Sequence, residues 1–348
     1  INDNTSKIEK KNSHEVHFLR VNDWLKIYLS KKPFLIVFRK IIILLELLFG
    51  RMHITLSPFK DFYGYAHELL KKDTEIKSVL VSGRPFEMFQ VGDALKRKLP
   101  VHWIPDYRDE WNTHQNNDRA NHSFIKRLIS PLDRRYEIKW TKNADYFISV
   151  SNKWVENIKN MINIDGHVVL NGFEKYDPIE NNTNQSIFKI IYAGTIYESQ
   201  PIEIFIEAIQ RIISMKKVQN PKIEVLFIGT EVEIFGHQKL KKLTKNKSAF
   251  KYLPRLNKKE LKSEMTTADL LLLTSFNNVK GWYPVKLFEY YASGKPMLLV
   301  PSDNDVMEDF IRRVNCGFVS NTVESCVKLL NDFMEKKSKG IQTSFFYT

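Results

Sequence analysis

Short apolar segments alternate with helix-like segments over most of this 348-residue chain. The alternation begins near residue 77, stops over the polar residues 174–185, and restarts at residue 188. Strands that alternate with helices in this way are typical of parallel sheets covered by helices. The pattern therefore predicts an α/β fold of two Rossmann-like parallel-sheet domains that face each other across a cleft.

The polar interruption sets the predicted domain bounds. We assign residues 1–173 to an N-terminal domain, residues 174–187 to a linker, and residues 188–339 to a C-terminal domain, while residues 340–348 would begin a return segment. In open parallel sheets, ligands bind beyond the carboxyl ends of the strands. Residues at the predicted strand ends are therefore the first candidates for chemistry.

One such end is the sequence Ala193-Gly194-Thr195, which lies ahead of a helix that we predict to begin at Pro201. A glycine lets the backbone approach a ligand, and a helix N-terminus offers free N–H groups to an anion. Ordinary turn chemistry explains a single glycine equally well.

A second strand end leads into residues 281–296, GWYPVKLFEYYASGKP. Lys286 and Glu289 lie three residues apart, on one face of a helix that follows Pro284. A cation at a helix start is unfavourable unless an anion binds there, so Lys286 predicts a phosphate site. Glu289, one turn later, would suit vicinal sugar hydroxyls. The alternative is a solvated Lys/Glu pair.

A third strand end is the polar loop DYRDEW, residues 106–111, which contains Asp106 and Asp109. Carboxylates in this position can bind substrate hydroxyls or transfer protons. Arg84 follows the preceding strand and would face the same crevice. An exposed loop with internal salt bridges is the alternative.

The chain is basic, with 53 Lys and Arg against 40 Asp and Glu and a formal net charge of +13. This surplus favours a polyanionic partner: nucleotide phosphate, nucleic acid or an anionic lipid surface. The most basic segment, residues 239–262, contains Phe250 and Tyr252 as its only aromatics, too few for a base-stacking platform. We therefore interpret it as a solvated surface and expect no nucleic-acid partner.

The cysteine and histidine content indicates the redox compartment and bears on whether the chain binds a metal. Cys316 and Cys326 are too few for a disulfide framework, which favours a reducing compartment. The nine histidines are scattered without metal-ligand spacing, so no metal site is predicted.

The most apolar segment is PFLIVFRKIIILLELLFG, residues 33–50. Arg39, Lys40 and Glu46 interrupt it, which makes a transmembrane span unfavourable. Residues 31–60 carry a cationic surplus, so this segment could lie in the headgroup region of an anionic membrane surface. The alternative is a core-facing helix with a thin charged edge.

Seven segments in order along the chain are SGRPF, WIPDYRDEW, FISVS, VVLNGF, YAGTIY, ADLLLLTS and KLFEYYASGKP. Together they resemble glycosyltransferases of the GT-B fold, specifically the retaining family-4 type of bacterial polysaccharide synthesis, from about Val79 to Pro301. The resemblance implies transfer of a sugar, with retention, from a nucleotide-diphosphate donor of the UDP or GDP type to a glycan or lipid-linked acceptor. It implies no tightly bound cofactor or metal and a cytoplasmic location, on the inner face of the plasma membrane if residues 31–60 bind lipid.

The resemblance also assigns roles to residues. Glu289 would hold the ribose, Gly194 and Thr195 would form the turn under the diphosphate, and Lys286 would lie beside the phosphates. We add Leu253 and Arg255 to the donor-nucleotide site. The remaining predicted residues are catalytic (Asp109, Arg84, Asp106 and Lys286), on the sugar or acceptor side (Arg108, Trp111, Gly281, Trp282 and Tyr283), or at a hinge (Asn171 and Gly172).

The sequence departs from the family pattern at several places. Gly281 stands where the family often has a second acid, and Thr195 and Gln200 stand where it often has Arg and Lys. A binding-only relative without transfer activity is therefore one alternative, and a basic-surface membrane- or nucleic-acid-binding protein is another. The family's first strand and glycine-rich loop, and its final return helix, have no counterpart here. We therefore expect an incomplete N-terminal domain, with both ends outside this chain.

Overall fold

A computed structural model describes residues 7–11, 14–19, 22–30, 32, 35–113, 124–174, 184, 186–215, 221–245 and 247–341. The chain divides into two compact units, Ile1–Val169 and Leu170–Thr348. Most of the predicted linker and of the predicted return segment lies outside the described residues. The predicted domain bounds stay predictions.

The first unit opens with an antiparallel hairpin and a group of helices. The hairpin strands are β1 (Lys7–Lys11) and β2 (His14–Phe18). The helices are α1 (Asp23–Leu29), α2 (Ile36–Leu45) with a π-helical turn over Glu46–Gly50, and α3 (Lys60–Lys72). The sequence analysis assigned no strand in this region.

A four-stranded parallel sheet in the order β3-β4-β5-β6 follows. Its strands are β3 (Ser78–Ser82), β4 (His102–Tyr107), β5 (Phe147–Ser149) and β6 (Gly166–Val168). The connecting helices are α4 (Phe89–Lys96), α5 (Phe124–Thr141) and α6 (Asn152–Ile162). Ser151 is the N-cap of α6, since its hydroxyl accepts the Trp154 N–H at 3.3 Å.

The second unit contains a six-stranded parallel sheet in the order β12-β11-β10-β7-β8-β9. Its strands are β7 (Ile187–Ala193), β8 (Lys222–Ile228), β9 (Phe250–Leu253), β10 (Leu270–Leu273), β11 (Met297–Leu299) and β12 (Gly317–Val319). Its helices are α7 (Glu203–Met215), α8 (Ile234–Leu243), α9 (Lys258–Thr266), α10 (Val285–Ala292), α11 (Val306–Arg313) and α12 (Val323–Ser338).

Helices cover both faces of this sheet, which explains why its strands are almost continuously apolar. Successive residues of β7 enter different cores, with Ile190 and Tyr192 in one and Ile191 and Ala193 in the other. The α/β fold with two parallel sheets is confirmed. One local difference is that α7 begins at Glu203 rather than at Pro201.

Within the described ranges, no helix is long and apolar enough to cross a membrane. The same residues hold no group of three or more His, Cys, Asp or Glu side chains that could bind a metal ion. Cys316 and Cys326 are buried, free thiols.

Candidate functional site

The strand order of the second unit reverses between β7 and β10, since the first strand of the unit lies between later ones. Ligands of open parallel sheets bind at such a reversal, beyond the carboxyl ends of the strands. Gly194 follows β7 with φ +102°, and Gly229 follows β8 with φ +72°. Both values lie in the left-handed region that favours glycine, so the chain turns sharply at both strand ends.

Lys286 lies beside the first of these turns. Its Nζ donates to the Tyr192 hydroxyl at 2.8 Å and lies 3.9 Å from the centre of the Tyr192 ring. A Cβ atom added to Gly194 would lie 3.6 Å from this Nζ. The Tyr192 hydroxyl donates in turn to the Thr195 carbonyl at 2.7 Å. The structure therefore brings Gly194, Thr195 and Lys286 together, and their predicted role in binding a diphosphate stays a prediction.

Lys286 is half-buried, and its ammonium group touches a neutral hydroxyl. Desolvation lowers the pKa of Lys286 to about 7, and the charge of Glu289 opposes this shift. In the described part of the chain, no carboxylate forms an ion pair with Lys286. A bound anion would supply the missing countercharge and favour the protonated form.

Glu289 lies one helical turn after Lys286 and lines a pocket of about 370 Å³. This volume lies within the range of small-molecule sites, about 300–1,000 Å³. The other lining residues combine apolar and charged side chains with backbone from the start of the unit: Gly172, Phe173, Glu174, Lys258, Leu261 and Val285. Lys258 is held by an ion pair with Glu174 at 2.5 Å. The pocket offers an apolar surface to a flat ring and a carboxylate to hydroxyl groups.

Two further predicted donor residues lie at the end of β9. The Leu253 carbonyl accepts the Gly229 N–H at 3.0 Å, which fixes the second turn. The Arg255 backbone N–H donates to Glu231 at 2.7 Å, and the Arg255 side chain is exposed. A Cβ atom added to Gly229 would lie 3.4 Å from the Arg255 Cα, so Arg255 lies against this turn.

Of the predicted hinge residues, Gly172 lines the pocket of Glu289.

The loop before α10 holds the predicted sugar-side residues. Gly281 has φ +75°, and its N–H donates to Asp305 at 2.5 Å. Trp282 packs edge-on against Phe276 at a ring distance of 4.7 Å, and Tyr283 packs against Phe288. Asp305, which the sequence analysis did not single out, therefore brings a carboxylate to the backbone of Gly281.

In the first unit, the ends of β3 and β4 lie side by side in register. Arg84 Nε lies 3.4 Å from an Asp109 carboxylate oxygen, and both side chains are more than one-third exposed. Asp106 is instead buried, where it accepts from the Ser82 hydroxyl at 2.7 Å and from Arg108 Nε at 2.9 Å. Asp106 therefore holds the two strand ends together, and its predicted catalytic role stays a prediction.

Trp111, which is predicted to lie on the acceptor side, packs against other aromatic rings of the first unit. Its ring stacks on Phe86 at 5.2 Å and on Trp140 at 6.1 Å. These contacts make Trp111 part of the aromatic packing of the first unit, because offset stacking against neighbouring rings fixes its position.

The sequence analysis missed two buried acids, Glu110 and Glu137. Glu110 accepts from Asn157 at 3.0 Å, and Glu137 accepts from Asn112 at 2.5 Å. Burial raises the pKa of each carboxyl to about 7. The sequence does indicate that Glu137 is buried, since helical spacing places it on the same face as the apolar Trp140.

Comparison with known proteins gives three kinds of result. No curated protein matches the sequence. Residues 174–342 match the model of the family described as glycosyl transferases group 1. Solved structures match over most of the chain, although their sequence identity is too low to show more than the fold.

A sucrose-phosphate synthase from Thermosynechococcus elongatus is 12% identical with a TM-score of 0.56, covering 84% of this chain and 75% of that chain. A UDP-forming α,α-trehalose-phosphate synthase from Burkholderia xenovorans, in complex with glucose-6-phosphate, is 9% identical with a TM-score of 0.58, covering 97% and 85%. HepE from Anabaena, in complex with UDP, is 15% identical with a TM-score of 0.52, covering 82% and 76%.

The family match covers the unit that contains Gly194, Lys286 and Glu289, and the structural matches extend over both units. Residues 174–342 are therefore similar to the glycosyl transferases group 1 family, and the chain has the two-domain GT-B fold.

Proposed function

We propose that this protein transfers a sugar from a nucleotide-diphosphate donor to a hydroxyl group of a glycan or lipid-linked acceptor, with retention of configuration. The observation that carries the proposal is the position of Lys286. Its Nζ lies beside the open turn at Gly194, and its helix carries Glu289 one turn later. In the donor, the ribose is joined directly to the diphosphate, so the groups that bind them must lie close together.

The diphosphate would occupy the turn after β7. Gly194 has no side chain to obstruct it, and Lys286 would contribute the cation. The N-terminus of α10 adds the positive end of a helix dipole. These groups would also stabilise the negative charge that develops on the diphosphate as it leaves, and this supports a reaction without a bound metal.

The nucleoside would occupy the pocket of about 370 Å³ that Glu289 lines. The Glu289 carboxylate would accept hydrogen bonds from the ribose hydroxyls, while Phe173 and Leu261 would pack against the base. HepE from Anabaena has been solved with UDP and with UDP-glucose. UDP is therefore the first donor nucleotide to test, ahead of GDP.

In the reaction, the acceptor oxygen bonds to the anomeric carbon as the bond from that carbon to the β-phosphate oxygen breaks. The acceptor proton leaves with the diphosphate. Arg84 and Asp109, which remain partly exposed at their strand ends, are the proposed acceptor-side residues of the first unit. The residues that we propose to contact the sugar or the acceptor also include Arg108, Gly281, Trp282 and Tyr283.

We place this reaction in the synthesis of bacterial cell-surface polysaccharide, in the cytoplasm, where nucleotide sugars are available. The sequence motifs support the pathway, and the free thiols Cys316 and Cys326 support a reducing compartment.

The alternative is a relative that binds a nucleotide without transfer. Gln200 favours it, because this side chain is buried and occupied by hydrogen bonds to the Thr274 carbonyl and the Tyr197 N–H. Gln200 therefore supplies no positive charge to a bound diphosphate.

Calorimetric titration of UDP, GDP and ADP into the full chain, Glu289→Ala and Glu207→Ala tests the donor site. We expect one nucleotide to bind selectively, and Glu289→Ala to weaken it at least about tenfold, since a hydrogen bond to a charged group contributes about 1.5–3 kcal/mol. Glu207 is a largely exposed acid on α7, so Glu207→Ala should bind like the wild type.

Nucleotide release from UDP-sugars in the presence of glycan or lipid acceptors separates the two candidates. Selective binding with turnover supports the transferase, whereas selective binding without turnover supports the binding-only relative. Failure of all three nucleotides to bind well-folded protein would refute both.

A further inference from the structure

Helix α2 in the first unit presents a stripe of apolar side chains to solvent. The stripe consists of Val37, Ile41, Leu44 and Leu48, which are 66%, 49%, 54% and 51% exposed. Their spacing of four, three and four residues places them on one face of the helix. Phe38, 59% exposed, borders this stripe.

The opposite side of the same segment is anchored in the unit through buried charges. Glu46 and Arg51 are 1% and 4% exposed, and they form an ion pair at 3.0 Å. Arg51 also pairs with Asp133 and lies 3.5 Å from Glu87. The inward side of the segment thus holds a buried ion pair as well as the buried Ile42, and its outward side leaves the four apolar side chains of the stripe in solvent.

The exposed charges of residues 35–60 have one sign, and those of the neighbouring α1, Asp23 and Lys26, form an ion pair at 3.2 Å. From residue 35 to residue 60, the exposed charged side chains are Arg39, Lys40 and Lys60. Glu46 is the one acid in that range, and it is buried in its ion pair. An exposed surface that combines apolar side chains with cations is complementary to anionic lipid headgroups over an acyl layer.

We propose that the stripe of α2 binds the surface of an anionic lipid bilayer. Val37, Ile41, Leu44 and Leu48 enter the boundary between headgroups and acyl chains, and Lys40 and Lys60 contact lipid phosphates. The segment Ile36–Gly50 is shorter than the roughly 20 residues that a spanning helix requires, so it lies on the membrane. A second copy of the chain fits this surface less well, because symmetric contact would bring like charges together.

This proposal concerns the first unit and does not depend on sugar transfer. Its test is flotation of the full chain with vesicles of phosphatidylcholine alone or with about one-third phosphatidylglycerol. The test variant is Ile41→Gln/Leu44→Gln, and the matched control is Ile234→Gln/Phe235→Gln, whose apolar side chains are 63% and 61% exposed in the second unit. Circular dichroism and analytical ultracentrifugation report folding and self-association of each protein.

We expect the wild type and the control to float with the anionic vesicles and much less with the neutral ones. Ile41→Gln/Leu44→Gln should lower the partition coefficient at least tenfold, and Lys40→Glu/Lys60→Glu should reduce binding chiefly at low salt. Equal flotation of the wild type and the stripe variant would overturn the proposal. So would a lack of binding to anionic vesicles, or a wild-type dimer that the stripe variant dissociates. UDP titration of the same proteins shows separately whether the donor site is intact.

Discussion

Raising the pH above 7 should weaken UDP binding, because it removes the proton from Lys286. The lowered pKa of about 7 belongs to the free protein, where desolvation disfavours the ammonium form. A bound diphosphate favours that form and raises the pKa again, towards the usual value of about 10.4. Binding above pH 7 therefore takes up a proton.

The expected magnitude follows from the fraction of Lys286 that is protonated before binding. With a pKa of about 7, this fraction is about one-tenth at pH 8 and about one-hundredth at pH 9. The dissociation constant should rise by up to about tenfold per pH unit, or about 1.4 kcal/mol. The terminal phosphate loses its second proton near pH 6, so its own titration contributes little over this interval.

Calorimetry of UDP binding at pH 7, 8 and 9, in buffers of different ionisation enthalpy, measures both the affinity and the proton uptake. Lys286→Arg is the matched variant, because a guanidinium stays protonated throughout this range and should bind with constant affinity. Lys286→Met should bind weakly at every pH. A wild-type affinity that is independent of pH, without proton uptake, would refute the assignment of Lys286 to the phosphates.

Three other predictions concern the stability of the fold. Gly194→Ala should lower stability by about 1 kcal/mol or more, since φ is +102° there, whereas Gly172→Ala, with open space around its Cβ position, should leave the melting temperature unchanged. Glu137→Gln should reduce the loss of stability between pH 5 and pH 7 in urea unfolding. The unfolded carboxyl ionises near its ordinary pKa while the folded one, with a pKa of about 7, does not, so stability falls as pH rises through this window; an unchanged slope would contradict the assignment. Arg51→Met should cost about 3–5 kcal/mol, because it leaves Glu46 buried without its partner, and Glu46→Gln should cost clearly less.

The alternation of strands and helices predicts both sheets well, because hydrophobic periodicity records burial directly. The run FKIIYA, for example, is apolar at successive positions because both faces of β7 are covered. The same reasoning could not identify the hydrogen-bond partners of the buried acids, since Asn157 and Asn112, which donate to Glu110 and Glu137, are distant from them in sequence. Nor could it orient α2. Its apolar residues suit either a core or a lipid surface, and the direction is determined by the pairing of Glu46 with Arg51.

The remaining question is what neutralises the diphosphate when Thr195 and Gln200 stand in place of cations. Gln200 is 2% exposed, and both ends of its amide are bonded, so a lysine there would lose these contacts. The nearby Lys239 is engaged elsewhere, with its Nζ donating to the Gln200 carbonyl at 3.0 Å and paired with Glu203 at 2.7 Å. In the proposed donor site, the charge at the turn would therefore come from Lys286 and the α10 dipole. Because the pKa of Lys286 is lowered to about 7 and the other two positions carry no charge, donor binding in the proposed site should depend on pH.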